Sequence, residues 1–374
     1  MIDKNLLMRL EGQHPARTMP FDFLRAGLQA RVDQGVIYCN TYDDLEVYSY
    51  SRDCMYEQAW DIFTCMARCL ILDHVEKKVV ATPFPKFFNW GETDYYPDDE
   101  ELTAFEKMDG CLGTVFNHKG VWRFASKSSL AGPVAERGQL LLDRVDKKGL
   151  NEGTTYMFEL LTPIMRIVVP YTTEELVMLA GYNEQGFEIP WSYVEDAAAE
   201  SGLNVPKIKR FKSMADCVAY TEPLGYQEEG YVVRFSSGHR VKVKSDGYLV
   251  KHKVMFNFGP LRVWDSLIQD IDPEEYRRLL IEELWDEFDR LYDGFEKAYF
   301  AKRLKLSRLH EETKLWSDKE LGLKMKELDR DVCQFLFAVR KRDGLTEIAT
   351  PGSKLRRKFC DSFRPNGNIM EDVT

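Results

Sequence analysis

Near residue 260 the periodicity of the chain changes, and that break constrains the fold more than any other feature. Before it, apolar residues come in short runs rich in β-branched and aromatic side chains. Examples are Cys69-Leu-Ile-Leu72, Gly113-Thr-Val-Phe116, Thr155-Tyr-Met-Phe158, Arg166-Ile-Val-Val169 and Gly230-Tyr-Val-Val-Arg-Phe235. Turn sequences such as Asn117-His-Lys-Gly120 and Ser236-Ser-Gly238 separate several of them, so hairpins fit better than βαβ repeats. Amphipathic helical stretches are expected near 133–148 and 192–201. After the break, Asp272-Pro273-Glu-Glu275 starts a helix, with Asp at the N-cap and Pro in the first helical position. Leu280, Leu284, Phe288, Leu291 and Phe295 then recur at helical spacing. A capping box, Ser317-Asp-Lys-Glu320, leads into Leu321, Met325, Leu328, Val332 and Phe335, and a basic run, Lys354-Leu-Arg-Arg-Lys358, comes near the end. The expected fold is α+β, with a domain of antiparallel sheets and flanking helices over 1–255 and an all-helical domain over 256–374.

A chain of 374 residues suits two domains. No apolar run approaches the roughly 18 residues of a membrane span, and no signal-peptide core follows Met1-Ile2-Asp3-Lys4, which predicts a cytoplasmic protein without a membrane partner. The eight cysteines are scattered without a CxxC pair, so a reduced state fits better than a zinc or disulfide framework. The net charge of −10 argues against non-specific coating of nucleic acid. Charge is segregated, however. Six Lys/Arg and one acid, Asp246, lie between Tyr231 and Val254, whereas acids gather in Asp98-Asp99-Glu100-Glu101 and between Asp272 and Glu296.

The chemistry-bearing residues lie in this first part. Lys107-Met-Asp-Gly110 precedes a strand-like run; alone it reads equally as a surface turn. Downstream stand Phe158-Glu159, Glu229-Gly-Tyr-Val232 and Lys242-Val-Lys244. In the last, Val241 and Val243 share one face of a strand and Lys242 and Lys244 the other. On a strand lining a cleft, two such lysines form a rigid clamp for phosphate; on an exposed edge they are merely solvated. Glu159 and Glu229 read equally as partners of Arg166 or Arg234.

Together these residues resemble motifs I, III, IV and V of the covalent nucleotidyltransferases, the superfamily of polynucleotide ligases and mRNA capping enzymes. Met66-Ala-Arg68, Pro85-Lys86-Phe87-Phe88-Asn89, Phe124-Ala-Ser-Lys127, Arg166-Ile-Val-Val-Pro-Tyr171 and Lys244-Ser-Asp-Gly-Tyr248 are more narrowly similar to the RNA ligase 1 family of T-even bacteriophages. Their fixed order over most of the first 250 residues makes the resemblance specific. It departs at three places: Arg68 is followed by Cys69 where the family commonly has glycine, Asp246 by Gly247 where an aromatic is usual, and motif I by Cys111 where serine is frequent.

The resemblance implies an ATP-dependent RNA ligase. Lys107 would attack the α-phosphate of ATP, and AMP would pass from lysine to an RNA 5′-phosphate before a 3′-hydroxyl displaces it. Lys242, Lys244 and Mg²⁺ (or Mn²⁺) would offset charge on the phosphate. Glu229 and Asp109, hard oxygen donors, would hold the metal directly or through water, and Asp272 either joins them or simply caps its helix. Glu159 would hold the ribose, Arg68 and Lys86 the triphosphate, and Tyr50 and Phe88 the nucleotide, although Tyr50 reads almost as well as a core aromatic. Lys127, Tyr248 and Asp246 complete the expected site. The implied partners are RNA with 5′-phosphate and 3′-hydroxyl ends, such as a tRNA cleaved in its anticodon loop, and a separate kinase-phosphatase. A DNA ligase, a capping enzyme, a protein AMPylator and a non-catalytic RNA-binding protein stay as alternatives, and the helical C-terminus and intact charged residues weigh against several of them.

Overall fold

The structure is a computed structural model and describes residues 2–97, 102–165, 167–255, 258–278, 280, 284–341 and 344–365. Arg166 and the acidic run Asp98–Glu101 lie outside the described residues. The chain divides into two compact units, Met1–Val250 and Lys251–Thr374. No helix among the described residues is long and apolar enough to cross a membrane.

The first unit is α+β, with three mainly antiparallel sheets. One has the order β1 (Ile37–Tyr42), β2 (Leu45–Tyr50), β3 (Arg68–Asp73), β4 (Lys78–Ala81). Helices Phe21–Asp33 and Ile62–Met66 bury Leu24, Leu28, Phe63 and Met66 against it. A short strand, β5 (Phe88–Asn89), and β6 (Leu102–Glu106) follow, then β7 (Cys111–His118), β8 (Val121–Ala125), β9 (Thr155–Leu161) and β10 (Glu175–Tyr182). The second sheet runs β10-β9-β7-β8. Its core face packs on helices Pro133–Leu142 and Trp191–Glu200 through Phe124, Phe158, Leu160 and Val194. The third sheet has the order β11 (Ile208–Phe211), β6, β12 (Gly230–Arg234), β13 (Arg240–Lys244), β5, with only the last pairing parallel. The Asn117–Gly120 turn joins β7 to β8, with Lys119 and Gly120 both at positive φ, and Ser236–Gly238 joins β12 to β13.

The third sheet carries the argument for function. Tyr231, Val233, Val241, Val243, Leu102 and Ala104 form its apolar face, covered by Cys217 of helix Met214–Thr221. Period-two alternation therefore sends Lys242 and Lys244 to the opposite face, where Gly230, Val232 and Phe105 lie beside them in register.

Two local expectations are corrected. Ile167–Val169 is a bend rather than a strand, because the backbone N–H groups of Val168 and Val169 donate to the Asp109 side chain instead of a neighbouring strand. In the second unit the apolar spacing from Leu321 to Phe335 does not make one helix. Helix Asp318–Lys324, which does begin with the Ser317–Glu320 capping box, passes into a 3₁₀ turn at Met325–Glu327, and Leu328 is extended. Asp329 then accepts the Asp331 N–H at 3.0 Å, the side-chain competition that favours turns over helix. Likewise the helix begun at Asp272 covers only Pro273–Arg278, and a new helix of 29 residues, Trp285–Thr313, buries Phe288, Leu291, Phe295 and Leu306. Its partners in the core include Val263, Trp264, Phe335, Val339 and Phe359.

Candidate active site

The Lys107–Gly110 turn bridges two sheets. At its start, Lys107 N–H donates to Gly230 O at 2.8 Å, extending the β6–β12 ladder by one bond. The side chain then reaches Glu229, with Nζ 2.7 Å from Oε2, while Lys244 Nζ stands 3.4 Å from Oε1 of the same carboxylate. Glu229 is only 3% exposed, so its charge is offset by these two lysines rather than by water.

Asp109 anchors the turn. Its carboxylate is 3% exposed and accepts from Tyr248 OH at 2.7 Å, Val168 N–H at 2.7 Å and Val169 N–H at 2.6 Å, while its own N–H donates to Tyr171 OH at 3.1 Å. A carboxylate so occupied positions the loop and has little left for direct metal contact. Gly110 makes the approach to the second sheet possible, since a Cβ there would lie 2.4 Å from Leu160 O. Its N–H donates to Glu159 Oε1 at 3.1 Å.

Burial raises the Glu159 carboxyl to about 7, and Glu229 adds to that, whereas Lys107, Arg68 and the Gly110 N–H act against it. The Cys111 thiol, where the resemblance would have serine, is pushed up to about 11 by burial and by Glu159 and Asp109, and is no nucleophile.

A box of rings holds the remaining cations. Lys86, on the segment before β5, lies 5.7, 5.3 and 5.2 Å from the ring centroids of Tyr50, Trp60 and Phe88, and Lys127 lies 4.2 Å from that of Tyr50. The Phe87 ring faces Arg68 at 5.1 Å and Lys242 at 5.5 Å. Arg68 Nε and Nη1 are buried with no hydrogen-bond partner among the described residues. Such orphaned guanidinium donors fit an oxyanion, and a triphosphate is the group the sequence implies.

The structure thus brings Lys107, Glu159, Glu229, Lys244, Asp109 and Tyr248 into one connected network, and places Tyr50, Lys86, Phe88 and Lys127 in another. Asp246 is exposed at the start of helix Asp246–Met255. Asp272, in the second unit, caps its helix, with Oδ1 accepting the Glu274 N–H at 2.9 Å. Phe87 and Tyr171 lie in segments that carry the resemblance but were given no role in the site, and Trp60 lies in none. The signal for Phe87 was its place between Lys86 and Phe88; for Trp60 there was none. Elsewhere, among the described residues, Asp44, Asp73 and His118 bring three potential metal ligands together, but the Lys119 ammonium already sits against both aspartates.

A model of the RNA ligase family matches residues 66–255. A provisionally named RNA ligase of Thermovibrio ammonificans is 29% identical over 325 residues, 76% of this chain and 80% of that one. The RNA ligase of Rhodothermus phage RM378 is 22% identical over 344 residues, covering 70% and 78%. Among solved structures, a mutant of Naegleria gruberi RNA ligase with ATP and Mn is similar at 15% identity and a TM-score of 0.36, over 41% of this chain and about half (52%) of that one. The family match takes in Arg68, Lys86, Lys107, Glu159, Glu229, Lys242, Lys244 and Tyr248, and on it the chain belongs to the RNA ligase family.

Proposed function

We propose that the protein seals 5′-phosphate and 3′-hydroxyl RNA ends using ATP, through a lysyl-AMP on Lys107 and an RNA-adenylate. The observation that carries this reading is the Lys107–Glu229–Lys244 arrangement: one lysine, 2.7 Å from a buried carboxylate, beside a second lysine on a rigid strand. Lys107 Nζ would form the P–N bond to the α-phosphate as pyrophosphate leaves. AMP would then pass to the RNA 5′-phosphate, regenerating the amine, and a 3′-hydroxyl would form the new phosphodiester as AMP departs. Arg68, Lys86, Lys242 and Lys244 supply fixed positive charge along the phosphates. Glu159 would accept from the ribose hydroxyls, and the Tyr50, Trp60 and Phe88 rings would shape the nucleotide side of the pocket. A divalent cation, Mg²⁺ or Mn²⁺, would be held by Glu229 and would offset phosphate charge there; Asp109 and Asp272, engaged as described, act as anchors.

The helical second unit would select the RNA. Repair of a tRNA broken in its anticodon loop, beside a separate kinase-phosphatase, is the physiological setting the family resemblance favours. Incubation with ATP labelled at the α-phosphate and Mg²⁺, without nucleic acid, tests the first step. Label should stay on the wild-type protein through a denaturing gel and be absent from Lys107→Ala. An unlabelled wild type, with pyrophosphate removed and Mn²⁺ also tried, would sink the proposal.

A further inference from the structure

Strand β11 is an edge of the third sheet, and its charge is unlike the rest of the chain. From Leu203 to Met214 there are four cations, Lys207, Lys209, Arg210 and Lys212, and no acid, in a protein of net charge −10. Lys207, Arg210 and Lys212 are exposed, and among the described residues no ion pair engages any of the four. Lys209 instead sits over the Tyr220 ring, 3.2 Å from its centroid. Lysines do protect sheet edges from pairing with other chains. Edge protection does not explain where this strand leads.

Its backbone runs directly to the catalytic lysine. Glu106 N–H donates to Lys207 O at 2.8 Å, so the chain next to Lys107 is hydrogen-bonded to the start of the basic run. In register, Ile208 faces Phe105 and Arg210 faces Thr103, which puts both on the sheet face of Lys242 and Lys244. From Lys207 to Lys212 the run extends about 17 Å at the usual strand rise. Along the same face, Thr103, Phe105, Trp191 and an ion pair of Arg234 with Glu188 line a cavity of about 250 Å³. The Phe105 and Trp191 rings are 4.7 Å apart.

We propose that β11 with the residues flanking it, Lys207 to Lys212, forms a ledge that binds the phosphates of single-stranded RNA and delivers its end to Lys107. The inference rests on the RNA-ligase reading above. Cations tracking a backbone beside the partly exposed Phe105 and Trp191 rings are the combination that single-stranded nucleic acid requires; an acidic protein would use the charges but not the rings. Neutral RNA-independent chemistry at Lys107 needs none of the three exposed cations.

The test uses the full chain and a triple variant, Lys207→Gln, Arg210→Gln, Lys212→Gln, with a 5′-phosphorylated single-stranded RNA of about 20 nucleotides. Protein labelling by α-labelled ATP should be unchanged. RNA affinity, read by fluorescence anisotropy, should fall roughly tenfold, and the slope of log K against log salt should become shallower by about 2, at ~0.7 per lost phosphate contact. Polyglutamate should not displace the RNA. Unchanged affinity and salt slope in the variant would overturn the ledge, and so would displacement by polyglutamate, which would favour an acidic protein. A wild type that takes no label yet binds RNA through these residues would retire the ligase reading and leave the ledge standing. Should the triple variant misfold, Lys207→Gln and Lys212→Gln singly replace it, each expected to lower the slope by about 0.7.

Discussion

The Tyr248 hydroxyl donates a 2.7 Å hydrogen bond to Asp109 Oδ1 across 139 positions of sequence. It ties the helix after β13 to the turn that presents Lys107. Both groups are buried, Tyr248 at 1% exposed and Asp109 at 3%, so the bond has no water to replace it. Tyr248→Phe leaves one lone pair of a buried carboxylate unmet. It should cost about 1.5–3 kcal/mol, read as a lower urea midpoint, together with a slower labelling step. A variant as stable and as active as wild type would mean that the turn is held by Val168 and Val169 alone.

The close approach at Gly110 is predicted to be stricter. Gly110→Ala places a methyl 2.4 Å from Leu160 O, a backbone atom that cannot move without shifting β9. Overpacking of this kind costs about 1–3 kcal/mol. Because the strained residue lies three positions from Lys107, protein labelling should fall much further than the thermal midpoint. Equal loss of both would make the contact merely structural.

Glu159 gives a pH signature. Its carboxyl is raised from 4.5 to about 7 in the folded chain. Below pH 4.5 it is protonated whether folded or unfolded, and the residue contributes no penalty. Between pH 4.5 and 7 only the unfolded chain ionises it, so stability falls as pH rises, by about 3 kcal/mol in all. Glu159→Gln should therefore be more stable than wild type at pH 8 and indistinguishable at pH 4, while losing nucleotide transfer at both. Denaturant midpoints across that range decide it; a constant offset would contradict the shift.

The charged centre was legible in the sequence because its residues are fixed by short-range rules. Alternation set Lys242 and Lys244 on one strand face, and the spacing of Lys107 and Gly110 is local. What the sequence did not disclose is where a backbone N–H would find its acceptor. The Asp109 carboxylate takes the Val168 and Val169 N–H groups, and that same bend cost the expected strand its residues 167–169. The long helix expected through Leu328 failed for a related reason, a side chain at Asp329 competing for backbone. Trp60 reaches Lys86 only through tertiary folding.

Two of the three departures, Cys69 and Gly247, make opposite predictions. Cys69 is the extra residue of a β-bulge opposite Tyr48 and Ser49, and it holds φ at +79°, a conformation that costs a non-glycine residue about 1–2 kcal/mol. Cys69→Gly relieves that strain while giving up a fully buried side chain, so the two effects should cancel to within about 1 kcal/mol. Gly247 is the reverse case. A Cβ there would sit 2.6 Å from Leu224 O and 2.9 Å from Tyr226 N, so the loop at 224–226 fills the space an aromatic would need. Gly247→Tyr should unfold the start of helix Asp246–Met255 and with it the Tyr248–Asp109 bond, lowering the thermal midpoint and abolishing labelling. If Gly247→Tyr were tolerated as well as Cys69→Gly, the 224–226 loop would have to be able to move aside.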